Sequence, residues 1–362
     1  MTTWAAASNW FSVARLQPYL DEADGDETIA LQLYEWNAEV SGACFEILGH
    51  FEVLLRNAID AQLTIHFKES QVGIPWFLLK IADGQVQTSI NADIADARSR
   101  LQRNHQDTRH QIIASTYLKF WTGLLSNAHN QLWRASIRKA FPGSSGVRSD
   151  LAAACNSLHN FRNRLAHPNS LLAADVPFQL RQILNVAAWI DPDAAKWLKS
   201  IERVSSTYSR RPIRKFDTVV VPAREAWEEY LAHGVYICQP NRTFRPIERI
   251  AFYESKSIKI DLPLVTGRID NVEWNLAEQT KLLASSSSAS NKLGQLIAST
   301  LNITRPPGRY QVFWLSTLGD PRHRQLGNEI PHTPRGRGSA FTQRQRYVSL
   351  HALETARTTA DL

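Results

Sequence analysis

The chain has 362 residues, 43% of them hydrophobic, enough for two domains that each bury a core. Cys44, Cys155 and Cys238 lie far apart without Cys-x-x-Cys spacing, which argues against a disulfide framework or a thiolate zinc site. The net charge of +7 is uneven: residues 1–200 hold 18 basic and 19 acidic side chains, residues 201–362 hold 23 and 15. The basic excess is therefore C-terminal, which favours an anionic partner such as nucleic acid, or else a solvated basic surface without one.

Met1-Thr2-Thr3-Trp4 lacks a basic leader, and no run approaches the roughly 18 apolar residues of a membrane span. A cytoplasmic protein is expected. From Thr28 to Phe67 apolar residues recur at helical spacing, with Leu33, Trp36, Val40, Ile47, Phe51, Leu54 and Ala58 near one face. On another stripe Glu52, Arg56 and Asp60 follow at intervals of four, and Glu preceding Arg by four is the favourable order for a helical ion pair. A second helix carries Ile90, Ile94, Ala97 and Leu101. A third holds Tyr117 to Leu125 and continues through Trp133 to Phe141, where Pro142-Gly143-Ser144-Ser145-Gly146 breaks it. The next runs from about Val147 to Ala166 and is stopped by Pro168, and a last spans roughly Pro177 to Trp189. This half reads as a helical bundle.

Beyond about residue 205 the texture changes. Asp217–Val221, Gly234–Cys238, Arg249–Tyr253, Ser257–Leu262 and Tyr310–Leu315 read as strands, the last as the final core strand. Helices are expected at Arg224–Ala232 and around Ser290–Leu301. The expected fold is therefore a multidomain chain: an all-α helical domain over 1–204, an α+β domain over 205–319, and a basic mobile tail over 320–362.

One segment carries chemistry. In Arg162-Asn163-Arg164-Leu165-Ala166-His167 the first arginine and the histidine stand five apart, roughly 140° around a helix. His167 precedes Pro168, where the helix must end, so its ring is free to turn towards a cleft. The pair suits RNA phosphodiester cleavage by 2′-hydroxyl attack: histidine moves a proton near neutrality, and arginine grips phosphate bidentately. No Asp, Glu and His cluster has metal-ligand spacing, so no metal or other cofactor is expected. Taken alone, the spacing also fits a surface arginine beside a helix-terminating histidine.

Three further segments give it context. Leu33-Tyr34-Glu35-Trp36-Asn37 with Phe51-Glu52-Val53-Leu54-Leu55-Arg56-Asn57-Ala58-Ile59 comes first. Phe120-Trp121-Thr122-Gly123-Leu124-Leu125 with Leu132-Trp133-Arg134 and Ala140-Phe141-Pro142 follows. With Arg162-Asn163-Arg164-Leu165-Ala166-His167-Pro168, these blocks resemble, in order and approximate spacing, the bacterial Abi-like (abortive infection) branch of the HEPN superfamily over residues 28–200. Leu118-Lys119 stands where that family often has Phe-Gly, a departure expected to alter packing rather than chemistry.

The resemblance implies a helical fold, a homodimer with two Arg/His motifs in one composite cleft, and a metal-independent endoribonuclease acting as a toxin-like phage-defence protein. A cyclic phosphate and a 5′-hydroxyl would be left. Arg162 would stabilise the scissile phosphate, His167 would move the proton, Asn163 would orient them, and Arg164 would add a phosphate contact. Glu52, Arg56 and Asn57 would support the cleft from the first helix. An RNA substrate is implied, and an antitoxin or phage-derived trigger becomes a natural partner. The alternative is a non-catalytic HEPN scaffold for dimerisation and nucleic-acid binding, or a DNA-binding regulator. Trp121, Trp133 and Cys155 are expected in the core rather than in chemistry. In the C-terminal half, which resembles no family, Arg242, Arg245 and Arg249 near a turn and Arg322, Arg324, Arg335, Arg337, Arg344 and Arg346 in the tail are candidate phosphate contacts.

Overall fold

The computed structural model describes residues 2–82, 84–102, 107–166, 170–334, 341–342 and 345–362. His167, Arg335, Arg337 and Arg344 lie outside these described residues. Helices occupy the chain to Ser209, and a mixed α/β region with sheets follows. Two compact units result: Tyr34–Leu171 with Val176–Arg211, and Met1–Leu33 with Leu172–Asp175 and Pro212–Leu362. Among the described residues, no helix is long and apolar enough to cross a membrane.

The helical unit is organised on the helix Glu27–His66, whose stripe Ile47, Phe51, Leu55, Ile59 and Leu63 is fully buried. Leu54 and Ala58, expected on that face, are only half-buried. A step of four advances 400° on a helix, so the buried line drifts by about 40° per step and passes through Leu55 and Ile59 instead. Packed in the same unit are Gly84–Gln102, Arg109–Ser115, Arg148–Ala166, Val176–Ile190, Pro192–Ile201 and Val204–Ser209. The single helix expected from Tyr117 to Phe141 is instead four short pieces, Leu118–Gly123, Asn127–His129, Asn130–Ala135 and Ile137–Ala140. One break falls at Ser136, whose hydroxyl donates to the Gln62 carbonyl of the long helix at 2.9 Å, and the Thr122 hydroxyl donates to the Lys119 carbonyl. Trp121 and Trp133 are buried, as expected. All three cysteines are free and buried, with burial pushing Cys44, Cys155 and Cys238 up to about 12.

The second unit contains two main sheets. Strand β1 (Thr218–Pro222) pairs in parallel with β3 (Arg249–Glu254), Val219 opposite Ile250, and antiparallel with β10 (Arg346–Val348). β4 (Ser257–Ile258) and β9 (Ile330–Pro331) complete this sheet. The other main sheet places β7 (Gly308–Leu315) between β2 (Val235–Cys238) and β6 (Val265–Trp274), and β5 (Asp261–Leu262) pairs with β8 (Arg324–Gln325).

Val219 and Val221 join Phe252, Tyr236 and Phe313 in one core cluster, while Val220 packs with Ala251, Ile258 and Leu353 on the other face. Burial on both faces explains a valine run without polar alternation. Val235, Ile237 and Val312 pack against Leu293, Leu296 and Ile297 of the helix Ser288–Thr300. That helix lies close to Leu276–Leu283: a Cβ added at Gly294 would stand 3.0 Å from Leu283.

Several boundaries differ from expectation. Ser257–Leu262 is two two-residue strands with different partners, β9 and β8, not one strand. Residues 320–362 are not a free tail: their described parts supply β8, β9, β10 and the helix Leu350–Thr355, and Tyr310–Leu315 is not the last core strand. Residues 1–33 and 172–175 belong with the C-terminal unit, not with a helical domain over 1–204. Lys215 pairs with Asp24 at 2.6 Å, and Arg268 with Asp175 at 2.7 Å. Helical periodicity shows that a segment buries a face, not which core receives it.

Arg268 on β6 is held at 2.7 Å from both Asp175 and Asp270, and its guanidinium lies over the Phe313 ring at 4.9 Å. Asp175 also accepts the Phe244 N–H at 2.8 Å. Removing the cation would take the Arg268 ion pairs from two buried carboxylates, so Arg268→Ala is expected to lower unfolding stability by about 3–5 kcal/mol in a denaturant titration. A loss below about 1 kcal/mol, the range of exposed pairs, would show the pair to be dispensable.

Candidate functional site

The helix Arg148–Ala166 buries Leu151, Cys155, Leu158, Phe161 and Leu165. That stripe leaves His159, Arg162 and Asn163 half-buried on its flank. On a helix, positions three and four apart lie about 60° and 40° from each other, so these three side chains share one surface. Asn163 Nδ2 stands 3.1 Å from His159 Nε2. His159 Nδ1 is buried with no hydrogen-bond partner among the described residues.

Glu52, on the flank of the long helix, faces this surface. Burial pushes its carboxyl above the ordinary carboxylate range, while Arg162, the Leu118 backbone N–H and Arg56 pull it back. Arg56 donates to the Ala114 carbonyl at 3.1 Å and to Asn57 Oδ1 at 3.4 Å. Arg100 donates to the Ser115 carbonyl at 2.8 Å, with its guanidinium 4.6 Å from the centre of the Tyr117 ring. Two arginines thus hold the turn that presents Leu118 N–H to Glu52. Further along the long helix, Asp60 accepts two bonds from Arg109 at 2.9 and 3.0 Å and one from Trp76 Nε1 at 2.7 Å, and Glu69 also pairs with Arg109. This network ties the helix Arg109–Ser115, and so the same turn, to the long helix.

Of the residues singled out from sequence, Glu52, Arg56, Arg162 and Asn163 are therefore brought together. Asn57 is exposed beside Arg56. Arg164 is exposed and donates to the Ser170 carbonyl, and His167 lies outside the described residues. Sequence reading missed His159, although the spacing His159-x-x-Arg162-Asn163 was a usable signal for one helical flank. It also missed Lys119. Where altered packing was expected, Leu118 is buried and Lys119 is an exposed cation whose charge acts on His159. Burial, Lys119 and Arg162 together hold the His159 imidazole below the ordinary histidine range. The cluster combines fixed cations, one half-buried carboxylate and an imidazole kept neutral at pH 7. Such a set can bind a phosphodiester and accept a proton. Among the described residues, no group of three or more His, Cys, Asp or Glu side chains could hold a metal ion.

The other unit offers a Ser-His-Asp arrangement: Ser316 Oγ lies 3.2 Å from His323 Nδ1, and His323 Nε2 lies 3.0 Å from Asp261. Ser316 is 2% exposed and its Oγ accepts the Leu264 N–H at 2.8 Å. A nucleophile must reach its substrate, so this set joins strands and does no acyl transfer.

The C-terminal arginines separate by exposure. Arg249 is buried and donates to the Leu262 and Arg322 carbonyls, with burial the main influence holding it below the ordinary arginine range, so it braces backbone instead of facing a ligand. Arg242 donates to Gln345 and to the Tyr236 hydroxyl. Arg245 is exposed over the Tyr347 ring at 5.1 Å, Arg322 pairs with Asp320, and Arg324 is exposed beside the Pro321 and His323 carbonyls.

No protein-family model, curated protein or solved structure matches the chain. The geometry itself yields a test. In an NMR titration, His159 should gain its proton only below the ordinary histidine value of about 6.5, and Arg162→Ala should move that pKa upward by removing one repelling charge. An ordinary value that the substitution leaves unchanged would contradict the arrangement.

Proposed function

We propose that the helical unit is a metal-independent endoribonuclease of the HEPN type. The observation that carries this reading is the convergence of Glu52 and Arg56, from the first block of the resemblance, with Arg162 and Asn163 from the last. The blocks are far apart in sequence, and chance similarity gives no reason for their polar residues to share one surface.

In the proposed reaction the RNA 2′-oxygen forms a bond to the adjacent phosphorus while its proton passes to a base. The bond from phosphorus to the 5′-oxygen breaks, and that oxygen takes up a proton. Arg162 grips the non-bridging oxygens, where negative charge develops, and His167 moves the proton. His159 holds the Asn163 carboxamide, and Glu52 limits the arc available to the Arg162 guanidinium. Arg164 adds a phosphate contact. As in the resemblance, the protein works in the cytoplasm as a homodimer and as a toxin-like defence protein, restrained or triggered by a partner. The exposed Arg245, Arg322 and Arg324 of the C-terminal unit help to capture RNA.

Purified wild type should cleave total RNA in excess EDTA, and Arg162→Ala and His167→Ala, matched to it in circular dichroism, should lose at least about 100-fold in rate, the scale of a lost acid–base or phosphate-binding group. Cleavage by both variants at the wild-type rate would remove this site from the chemistry. Unchanged RNA binding with no cleavage by any of the proteins would favour the scaffold reading.

A further inference from the structure

A second concentration of positive charge in the helical unit lies outside the proposed cleavage cluster. A cavity of about 430 Å³ is lined by Asn130, Trp133, Arg134, Arg138, Gly146 and Arg148. Arg134 lies in the helix Asn130–Ala135, Arg138 in the turn Ile137–Ala140, and Arg148 opens the helix Arg148–Ala166. Three separate pieces of backbone thus bring guanidinium groups to one hollow.

None of the three arginines pairs with a carboxylate among the described residues. Arg148 donates only to neutral acceptors, the Leu125 carbonyl at 2.6 Å and Asn127 Oδ1 at 3.2 Å. Arg134 and Arg138 are exposed. Asp150, in the first turn of the Arg148 helix, is not among the lining residues. Several other exposed or half-exposed arginines of this unit do meet acids: Arg100 pairs with Asp96, Arg203 with Glu46 and Arg210 with Glu39. Here like charges line a common wall, an arrangement that costs free energy unless an anion enters.

The wall is also fixed. Trp133 is 3% exposed and stacks on Phe141 with ring centres 6.1 Å apart. Ser136, between Arg134 and Arg138, is anchored to the long helix through its bond to Gln62. A fixed backbone lowers the entropy lost when long side chains close on a ligand. Guanidinium forks match phosphate oxygens two at a time. The volume lies in the usual range for small-molecule sites, about 300–1,000 Å³.

We propose that this cleft is a phosphate-binding site, taking the phosphates of a nucleotide, independently of the proposed cleavage reaction. The same chemistry could be presented by a free nucleoside triphosphate or by a segment of RNA strand. Calorimetric titration of the full chain at low salt distinguishes them, with ATP, GTP, inorganic pyrophosphate and a 2′-O-methyl octaribonucleotide that cannot undergo 2′-hydroxyl attack as probes. At least one probe should bind saturably, and the double variant Arg134→Ala, Arg138→Ala should weaken it at least tenfold. The double Arg→Lys variant keeps the charge but loses the forks. It should bind with intermediate affinity, and it preserves the test if the alanine variant fails to fold. Binding of the triphosphates or pyrophosphate would identify a free polyphosphate as the ligand, and binding of the octanucleotide alone would identify a strand. Saturable binding that both variants leave unchanged, or no saturable binding of any probe, overturns the proposal.

Discussion

The half-buried carboxylate of Glu52 is the constraint around which the polar part of the helical unit is arranged. A carboxylate withdrawn from water needs compensation, and here three sources supply it: the Arg162 charge, the Leu118 N–H and the Arg56 charge. They come from separate pieces of chain. Arg162 requires the helix Arg148–Ala166 to present its polar flank, and Leu118 requires a turn held by Arg56 and Arg100. The Arg162 charge, from the arginine proposed to meet the substrate phosphate, is thus one of three influences that act on a single anion. Arg162 stays half-exposed, so a ligand can still compete for it.

The second unit solves a related problem differently. Arg268 is enclosed by two aspartates and aromatic rings, and Arg305 by Glu229 in two bonds of 2.7 Å. These cations are held by acids and by backbone carbonyls of Arg242 and Ile237. Several C-terminal arginines therefore serve internal cohesion, and Arg249, which donates to two backbone carbonyls, is another. Charge counting could not distinguish a buried arginine from one facing solvent, because both contribute equally to the sum. What remains accessible is a smaller set, led by Arg245, Arg322 and Arg324.

Elements with strong periodicity or strong punctuation were legible in the sequence. The long helix was expected from Thr28 to Phe67 and spans Glu27–His66, and the helix ahead of Pro168 was expected from Val147 and spans Arg148–Ala166. The valine run of β1 was equally plain. β6 was not expected, because Arg268, Asp270, Asn271 and Glu273 interrupt its apolar pattern and two register shifts break its alternation. The segment after Tyr117 shows the opposite: its apolar content is high, but it folds as four short pieces, with a break at Ser136, whose hydroxyl bonds the distant Gln62 carbonyl and so leaves no local pattern. At the site, helical spacing grouped Glu52 with Arg56. Only the fold could bring them to Arg162, since contacts between distant segments leave no local pattern. His159 was within reach of the sequence, but a histidine amid asparagines on a polar flank carries no mark until its neighbours are known.

The account stands or falls on whether the 2′-hydroxyl is the nucleophile. The direct measurement uses an RNA oligonucleotide that the wild-type protein cleaves at one mapped bond, and a copy with a single 2′-deoxyribose immediately 5′ of that bond, both in excess EDTA. The account predicts a cyclic phosphate and a 5′-hydroxyl from the first and no cleavage at that bond in the second. Cleavage of both at the same rate, or fragments bearing 5′-phosphates, would contradict it.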